Sequence, residues 1–410
     1  MKTLIYNIGC LATAIGTSAK AGSSQGEVQV LENAWILIEN GVISAVGTGN
    51  YDTLDCETLD AQGALVTAGL VDAHTHLVFG GWRDNELALK LHGVEYLDIL
   101  KQGGGILSTV NATRNATEEE LIAKTSEALK EMLSYGTTTC EAKSGYGLDY
   151  ETELKQLHAV KKLSDMQPVE LVSTFMAAHA VPNEYKGNKS GYVSEITEHM
   201  LPEVADKKLA EFCDVFCETG VFDAEDSKRI LTVAQALGMG AKIHADEIDA
   251  IGGSELAGEI HAVSAEHLIS CNEKGIDALA RGGCIAVCLP CTSFYLDKGL
   301  APARAMINAG VPVAVATDFN PGSTPNLSLQ LAMNIACYKY KLTPEEVLTA
   351  VTLNAAAAIG RADRVGTVEA GKQADLLIWD APNLNRIFYR YGHNQVRTVI
   401  KKGKIVSSRQ

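Results

Sequence analysis

The sequence lacks an excess of basic residues and any long apolar run. Its 410 residues include 35 Lys and Arg against 50 Asp and Glu, which gives a formal net charge of -15. Because no basic stripe is available to neutralise phosphates, the composition argues against a nucleic-acid partner. No apolar stretch reaches the roughly 18 residues needed to cross a bilayer, so we expect a soluble globular protein with no membrane partner.

Neither a disulfide framework nor a phosphate-binding loop is evident. The ten cysteines are scattered, and several lie in strand-like apolar runs, which indicates reduced, buried thiols and a cytoplasmic location. The glycine run at 103–105 lacks a following Lys-Ser/Thr pair, so nucleotide binding is not expected. The N-terminal "TLIYNIGCLAT" favours an opening strand over a signal peptide, because Asn7 and the threonines interrupt its apolar run.

The sequence does contain a long alternation of short apolar runs and amphipathic stretches between about Gly69 and Gly360. Eight strand-helix units in series predict an α/β fold, a (β/α)8 TIM-like barrel over residues 66–361. A doubly wound open sheet is the alternative, which strand count alone does not exclude. The flanks, residues 1–65 and 362–410, contain short strands with glycine turns, and we expect them to form one small composite β-sandwich domain.

Histidine and aspartate residues follow the predicted barrel strands at the points where these strands end. The first strand ends with His74 and His76, and residues two apart on a strand share a face, so both imidazoles point the same way. The others are His179 after the third strand, His244 after the fifth, His267 after the sixth and Asp318 after the eighth. Because catalytic groups of barrels lie at this rim, we predict that these side chains converge.

This convergence predicts a metal site. Its ligands are three imidazole nitrogens and one carboxylate oxygen, from His74, His76, His244 and Asp318. Such a donor set suits zinc and is compatible with iron. An ion there lowers the pKa of a coordinated water towards ~7 and so supplies hydroxide at neutral pH.

Three side chains near the predicted metal site are candidates for catalysis. Glu247 lies three residues after His244 and can shuttle protons, although a solvated loop glutamate at a helix start is the alternative. Asp318 can take the proton of the water while it still binds the metal. His267 can polarise a carbonyl oxygen as a hydrogen-bond donor.

These residues resemble the amidohydrolase superfamily in type and order over essentially the whole chain. Many binuclear members have a carboxylated lysine at the end of the fourth strand. Here that strand reads "CDVFCETG", with Glu218 and no lysine, whereas Lys143 lies at the second strand. The resemblance therefore implies one Zn²⁺ or Fe ion per subunit.

Six further motifs resemble the imidazolonepropionase family, whose members hydrolyse 4-imidazolone-5-propanoate to N-formimidoyl-L-glutamate in histidine degradation. The motifs are "HTHLVFGGWRDNEL", "GGGILSTVNATR", "EAKSGYGL", "TFMAAHAVPNEY", "HADE" and "ATDFNPGS". The resemblance implies a hydrolase of a cyclic amide C–N bond, a small-molecule substrate and a homodimer.

The same resemblance implies which residues bind the substrate. These are Arg83, Tyr146, His179 and Glu247, with Asn320, Gly322 and Ser323 at the new carboxylate end of the product. The guanidinium fork of Arg83 matches the propionate of the substrate. Ser323 departs from the threonine usual at its position, and "GWRDNEL" from the usual "GSRENEF", but both keep the needed donor.

Two other functions are compatible with the metal motifs. An aromatic deaminase acting on guanine or cytosine shares the mononuclear site and the glutamate three residues after the fifth-strand histidine. Arg83 and "KSGYGL" favour a small acidic substrate over a neutral base. A barrel that lost catalysis and serves as a binding or scaffold protein is the second alternative, and the intact ligand set argues against it.

Overall fold

The computed structural model describes residues 2–51, 56–94 and 104–409. The strands are, in chain order, β1 (Lys2–Thr13), β2 (Gln29–Glu39), β3 (Val42–Thr48), β4 (Glu57–Asp60), β5 (Leu65–Ala68), β6 (Leu70–Asp72), β7 (Thr137–Lys143), β8 (Glu170–Ala178), β9 (Phe212–Cys217), β10 (Gly240–Ala245), β11 (Ser264–His267), β12 (Ile285–Cys288), β13 (Val313–Val315), β14 (Leu376–Trp379), β15 (Val396–Lys401) and β16 (Lys404–Ser408). They form two separate sheets.

The first sheet is a parallel barrel of eight strands, β6 to β13, in which each strand pairs with the next one along the chain. The first and last strands meet where they end, because Thr75 and Phe319 form a parallel bridge and the Thr317 hydroxyl donates to Asp72 at 2.6 Å. The predicted TIM-like barrel is therefore confirmed, and the open doubly wound sheet is not what forms. Strands covered on both faces are typically apolar, as "CIAVCLP" and "PVAVATD" are.

Most of the α-helices follow the barrel strands and cover the outside of the barrel, and the last one follows β14 of the second sheet. They are α1 (Leu87–Leu91), α2 (Ile106–Asn115), α3 (Glu118–Ser134), α4 (Tyr150–Met166), α5 (Lys189–Glu195), α6 (Leu201–Asp206), α7 (Ala224–Ala236), α8 (Gly253–Glu259), α9 (Glu273–Gly282), α10 (Pro290–Tyr295), α11 (Ala303–Asn308), α12 (Leu329–Lys339), α13 (Pro344–Ala350), α14 (Leu353–Ala358) and α15 (Leu384–Tyr389). The sequence marks their starts: Thr117 and Glu120 form a capping box at the start of α3. Among the described residues, no helix is long and apolar enough to cross a membrane.

The second sheet is built from both ends of the chain, as predicted. Its strand order is β16-β15-β14-β5-β1-β2-β3, with β4 pairing beside β1. The antiparallel pair of β5 and β14 joins the N-terminal and C-terminal halves of this sheet. Its own apolar cluster includes Ile5, Ile36 and Ile378. The domain boundaries at 65/66 and 361/362 stay a prediction.

Candidate metal and substrate site

Four predicted metal ligands come together at the carboxyl end of the barrel. Asp318 Oδ1 lies 3.5 Å from His74 Nε2 and 3.7 Å from His76 Nε2. His244 Nε2 lies 3.2 Å from His76 Nε2. All four side chains are at most 3% exposed. Three nitrogens and one oxygen from strands far apart in the chain therefore face one small space.

Local backbone geometry turns these side chains inward. His244 lies in β10, whereas His74 and His76 follow the end of β6. Asp318 has a φ of 56° and His267 a φ of 68°, both in the left-handed region that costs a non-glycine residue free energy. Such costs persist where the surrounding structure holds a side chain in place, here at two of the predicted site positions.

The donor atoms fit a divalent ion of the zinc or iron type. His74 Nε2 and Asp318 Oδ1 are buried and have no hydrogen-bond partner among the described residues. Buried polar atoms are normally paired, so two that share a space with further imidazole nitrogens are suited to bind a cation. His74, His76 and Asp318 form one group of close donor atoms, and His74, His244 and His267 form another. The assignment of ligands between these groups stays a prediction.

Three of the predicted metal ligands are in contact with a further side chain: a carboxylate lies behind each of two histidines, and a hydroxyl group binds the aspartate. Glu266 Oε2 lies 2.8 Å from His74 Nδ1, and Asp214 Oδ2 lies 3.0 Å from His244 Nδ1. The Thr292 hydroxyl donates to Asp318 Oδ2. Burial alone would raise the pKa of Asp318, but the contacts with His74 and Thr292 outweigh it and lower the pKa to about 2. Asp214, Glu266 and Thr292 are not among the site residues predicted from the sequence.

Glu247 and His267 lie beside this cluster. Glu247 Oε2 is 3.7 Å from His267 Nε2, and the Glu247 side chain is 17% exposed. Desolvation, followed by the negative charges of Asp318 and Glu218, raises the pKa of Glu247 to about 8. Glu218 itself accepts hydrogen bonds from the backbone N–H groups of residues 248 and 249, directly after Glu247, at 2.9 and 3.2 Å. The loop that carries Glu247 is therefore tied to the fourth barrel strand.

Tyr146 and His179 line the other side of the cluster. The His179 ring stacks on His76 with centroids 4.8 Å apart, and Tyr146 lies 5.2 Å from His179. The His179 Nδ1–H donates to the Gly145 carbonyl at 3.0 Å. Glu153 accepts hydrogen bonds from three backbone N–H groups of the Tyr146 loop at 2.8 to 3.0 Å. Two side chains that are predicted to bind the substrate, Tyr146 and His179, therefore lie next to the predicted metal ligand His76.

Arg83 is a cation without a close partner among the described residues. Its side chain is 10% exposed, its Nε is buried without a hydrogen bond, and its nearest ion-pair contact is Glu86 at 4.0 Å. A Cβ added to Gly322 would lie 1.0 Å from an Arg83 nitrogen, so the guanidinium rests on that glycine. A largely buried guanidinium whose one ion-pair contact is 4.0 Å long has donors left for an anion, so the predicted role of Arg83 in substrate binding stays a prediction.

The "DFNPGS" loop is closed by its own hydrogen bonds. Asn320 Oδ1 accepts from the backbone N–H of Gly322 at 2.8 Å and of Ser323 at 2.7 Å. The Asn320 amide in turn donates to the Asp318 carbonyl at 2.7 Å and to the Ser323 hydroxyl at 2.9 Å. Binding of the product carboxylate by these groups would need some of these bonds to exchange, and their predicted role stays a prediction.

Comparisons with known proteins agree on one relationship. The profile of the Amidohydrolase family matches residues 65–406. The chain is 52% identical to the imidazolonepropionase of Alkaliphilus oremlandii, over 94% of this chain and 93% of that protein. It is 52% identical to the imidazolonepropionase of Fusobacterium nucleatum, over 98% of each.

Solved structures with low sequence identity share the fold. E. coli guanine deaminase superposes with a TM-score of 0.76 at 15% identity, over 100% of both chains. An adenosine deaminase from Xanthomonas campestris with bound zinc gives 0.72 at 23% identity, over 98% of this chain and 92% of that one. At these identities the likeness shows the barrel architecture alone.

Proposed function

The chain belongs to the amidohydrolase family and, within it, to the imidazolonepropionases, and on that premise we propose the reaction and the residues that perform it. The protein is a hydrolase that opens the cyclic amide of 4-imidazolone-5-propanoate to N-formimidoyl-L-glutamate in histidine degradation. The observation that carries the assignment in the structure is the convergence of four donor atoms beside Glu247.

One Zn²⁺ or Fe ion per subunit would be held by His74, His76, His244 and Asp318. When bound, the ion supplies Lewis-acid chemistry, since it makes a water acidic at neutral pH and polarises a carbonyl oxygen. The buried atoms without partners, His74 Nε2 and Asp318 Oδ1, support this set. The nature of the donors favours zinc or iron over magnesium or calcium, which prefer oxygen ligands.

The proton transfers fall to carboxyl groups of the chain. Glu247, with a pKa raised to about 8, can both take and give a proton near neutral pH, so it can move one from the attacking water to the departing ring nitrogen. Asp318 stays ionised and can accept a proton as well. His267, 3.7 Å from Glu247, would donate a hydrogen bond to the oxyanion that develops on the ring carbonyl.

The propionate of the substrate would bind to Arg83. The guanidinium lies at the rim with no close counterion among the described residues, and its planar fork matches a carboxylate. Tyr146 and His179, packed beside His76, would contact the ring end of the same molecule. In this proposal the acidic tail of the substrate would lie at Arg83 and its amide would lie near the metal ligands.

Replacement of Arg83 by methionine is expected to raise KM for the imidazolone substrate by about 10- to 100-fold, with a smaller change in kcat. The reason is that a charged hydrogen bond to the propionate is lost while the reacting groups stay in place. Steady-state kinetics measure both constants. Arg229→Met is the matched control, because Arg229 is 47% exposed and pairs with Glu198 on the surface. An unchanged KM in the Arg83 variant would reject the binding role.

The reaction itself is tested by comparing substrates. Purified protein should consume imidazolonepropionate, followed by its loss of absorbance, and should release no ammonia from guanine or cytosine. Ammonia release without imidazolone turnover would replace the proposed activity with a deaminase activity. Absence of both activities in metal-loaded protein would favour a binding or scaffold protein.

A cytoplasmic location and a homodimer remain part of the proposal. None of the ten cysteines forms a disulfide among the described residues, and burial raises the pKa of all seven buried thiols above its usual value, which suits a reducing compartment. Light scattering on purified protein tests the dimer, which the family resemblance implies.

A further inference from the structure

Charged side chains fill the barrel interior beneath the candidate metal site. They come from four barrel strands, β7, β9, β10 and β11, and each is 0% exposed: Glu141, Lys143, Asp214, Lys242 and Glu266. Barrel interiors are normally packed with branched apolar residues. Burying charges is costly unless they are paired and hydrogen-bonded, so this cluster, here called the buried charge cluster, needs a reason.

Lys143 is the cation at the centre of the buried charge cluster. Its Nζ lies 2.7 Å from Asp214 Oδ2, 3.0 Å from Glu266 Oε2 and 2.9 Å from Glu141 Oε2. Lys242 Nζ lies 2.8 Å from Glu141 Oε1 and 3.1 Å from Glu266 Oε1. The two lysines therefore bind different oxygens of the same carboxylates.

The oxygens that Lys143 binds are the ones that face the histidines. Glu266 Oε2 is 2.8 Å from His74 Nδ1, and Asp214 Oδ2 is 3.0 Å from His244 Nδ1. Lys242 contacts neither of these two oxygens. One ammonium group thus connects to two of the predicted metal ligands through two carboxylates.

The carboxylates also form close donor groups with the two histidines. Oxygens of Asp214 and Glu266 group with His244, and those of Glu141 and Glu266 group with His74, closely enough to bind an ion. The Lys143 ammonium lies among these oxygens and supplies the positive charge there. Lys143, at the second strand, therefore has a position in the site although it cannot take the role of a fourth-strand carboxylated lysine.

We propose that Lys143 is a positioning residue for the metal. It holds Glu266 and Asp214 so that each keeps a proton on the Nδ1 of its histidine, which leaves both Nε2 lone pairs for the ion. Carboxylates behind ligating histidines fix the tautomer and the ring orientation in this way. The cluster has three carboxylates and two ammonium groups, and its excess negative charge also favours a cation nearby. The proposal rests on the proposed function only in taking His74 and His244 as ligands.

The experiment measures zinc retention rather than turnover. Holoprotein carrying Lys143→Met should lose zinc to a chromogenic chelator about 10- to 100-fold faster than the unchanged protein, as for other partners behind metal ligands. Lys242→Met is the matched control, because Lys242 is equally buried but its ammonium contacts the other oxygens of Glu141 and Glu266 and the Ala73 carbonyl, not the oxygens that face the His74 and His244 rings. Its zinc loss should stay within a few-fold of the unchanged protein.

A double variant separates positioning from charge balance. Glu141 contacts both lysines but neither histidine within ion-pair distance, so Lys143→Met with Glu141→Gln removes one charge of each sign. We expect its unfolding temperature to recover relative to Lys143→Met while zinc loss stays fast, and the visible spectrum of the cobalt-loaded form to shift. Normal zinc retention and an unchanged cobalt spectrum in this double variant would overturn the proposal. The same two measurements on the double variant test the proposal if Lys143→Met alone does not fold. If the unchanged protein retains no zinc or cobalt, the proposed metal site fails together with this inference.

Discussion

Glu247→Gln is expected to lower kcat by about 10²- to 10⁴-fold, the range that general acid-base catalysis contributes, while metal content stays unchanged. Glutamine keeps the shape and hydrogen bonds of the side chain but cannot exchange a proton. Glu247 lies outside the predicted ligand set, 3.7 Å from His267, so its replacement leaves the donors in place. The loss should fall on the ring-opening step rather than on binding.

The measurement pairs steady-state kinetics with metal analysis on the same preparation. Glu259→Gln is a suitable control, because Glu259 is 60% exposed and pairs with Lys228 on the surface. A Glu247 variant that hydrolyses the substrate at a near-normal rate would reject the proton-shuttle role. Asp318 would then be the remaining carboxylate for the proton transfer.

The barrel could be predicted from the sequence because its strands are buried on both faces. A run such as "CIAVCLP" or "PVAVATD" is short and mostly apolar, and helices with clear starts and glycine stops separate the runs. The site could be predicted for a related reason: in a parallel barrel every strand ends at the same rim, so the residues after each strand must lie near one another. No knowledge of strand pairing was needed for either prediction.

The contacts behind the ligands could not be predicted, because they depend on register between strands. His244 is paired with Glu266 across β10 and β11, and Lys242 with Asp214 across β9 and β10. A shift of one residue would turn each side chain to the other face of the sheet. The available signal was a charged residue inside an apolar strand, at alternate positions in "EAK" and "KIH".

The hydrogen bonds within the predicted substrate loops are a second feature that could not be predicted from the sequence. The sequence placed Asn320, Gly322 and Ser323 after the last barrel strand, but not the hydrogen bonds by which Asn320 closes that loop. Side chain to backbone bonds of this kind compete with ligand binding in a way that residue type alone does not reveal. The position of Arg83 over Gly322 is likewise a tertiary contact between the first and last rim loops.

Removal of the metal is expected to abolish turnover, by at least about 10⁴-fold, because a water that has a pKa of about 7 beside zinc has one of about 15.7 in bulk. Prolonged dialysis against a chelator should give inactive, folded protein, and Zn²⁺ or Fe²⁺ should restore the activity. Asp318→Ala should give the same loss without a chelator, since it removes the oxygen that His74 and His76 share.

Asp277→Ala controls for the loss of an aspartate, because Asp277 lies exposed on helix α9, away from these donors. Two other outcomes of the metal-removal experiment would also be informative. Metal-depleted protein that still opens the imidazolone ring would mean that Glu247 and His267 suffice for hydrolysis and that the four converging groups have another purpose. Restoration by only one of the two metals would instead identify the ion that this donor set, with three nitrogens and one oxygen, selects.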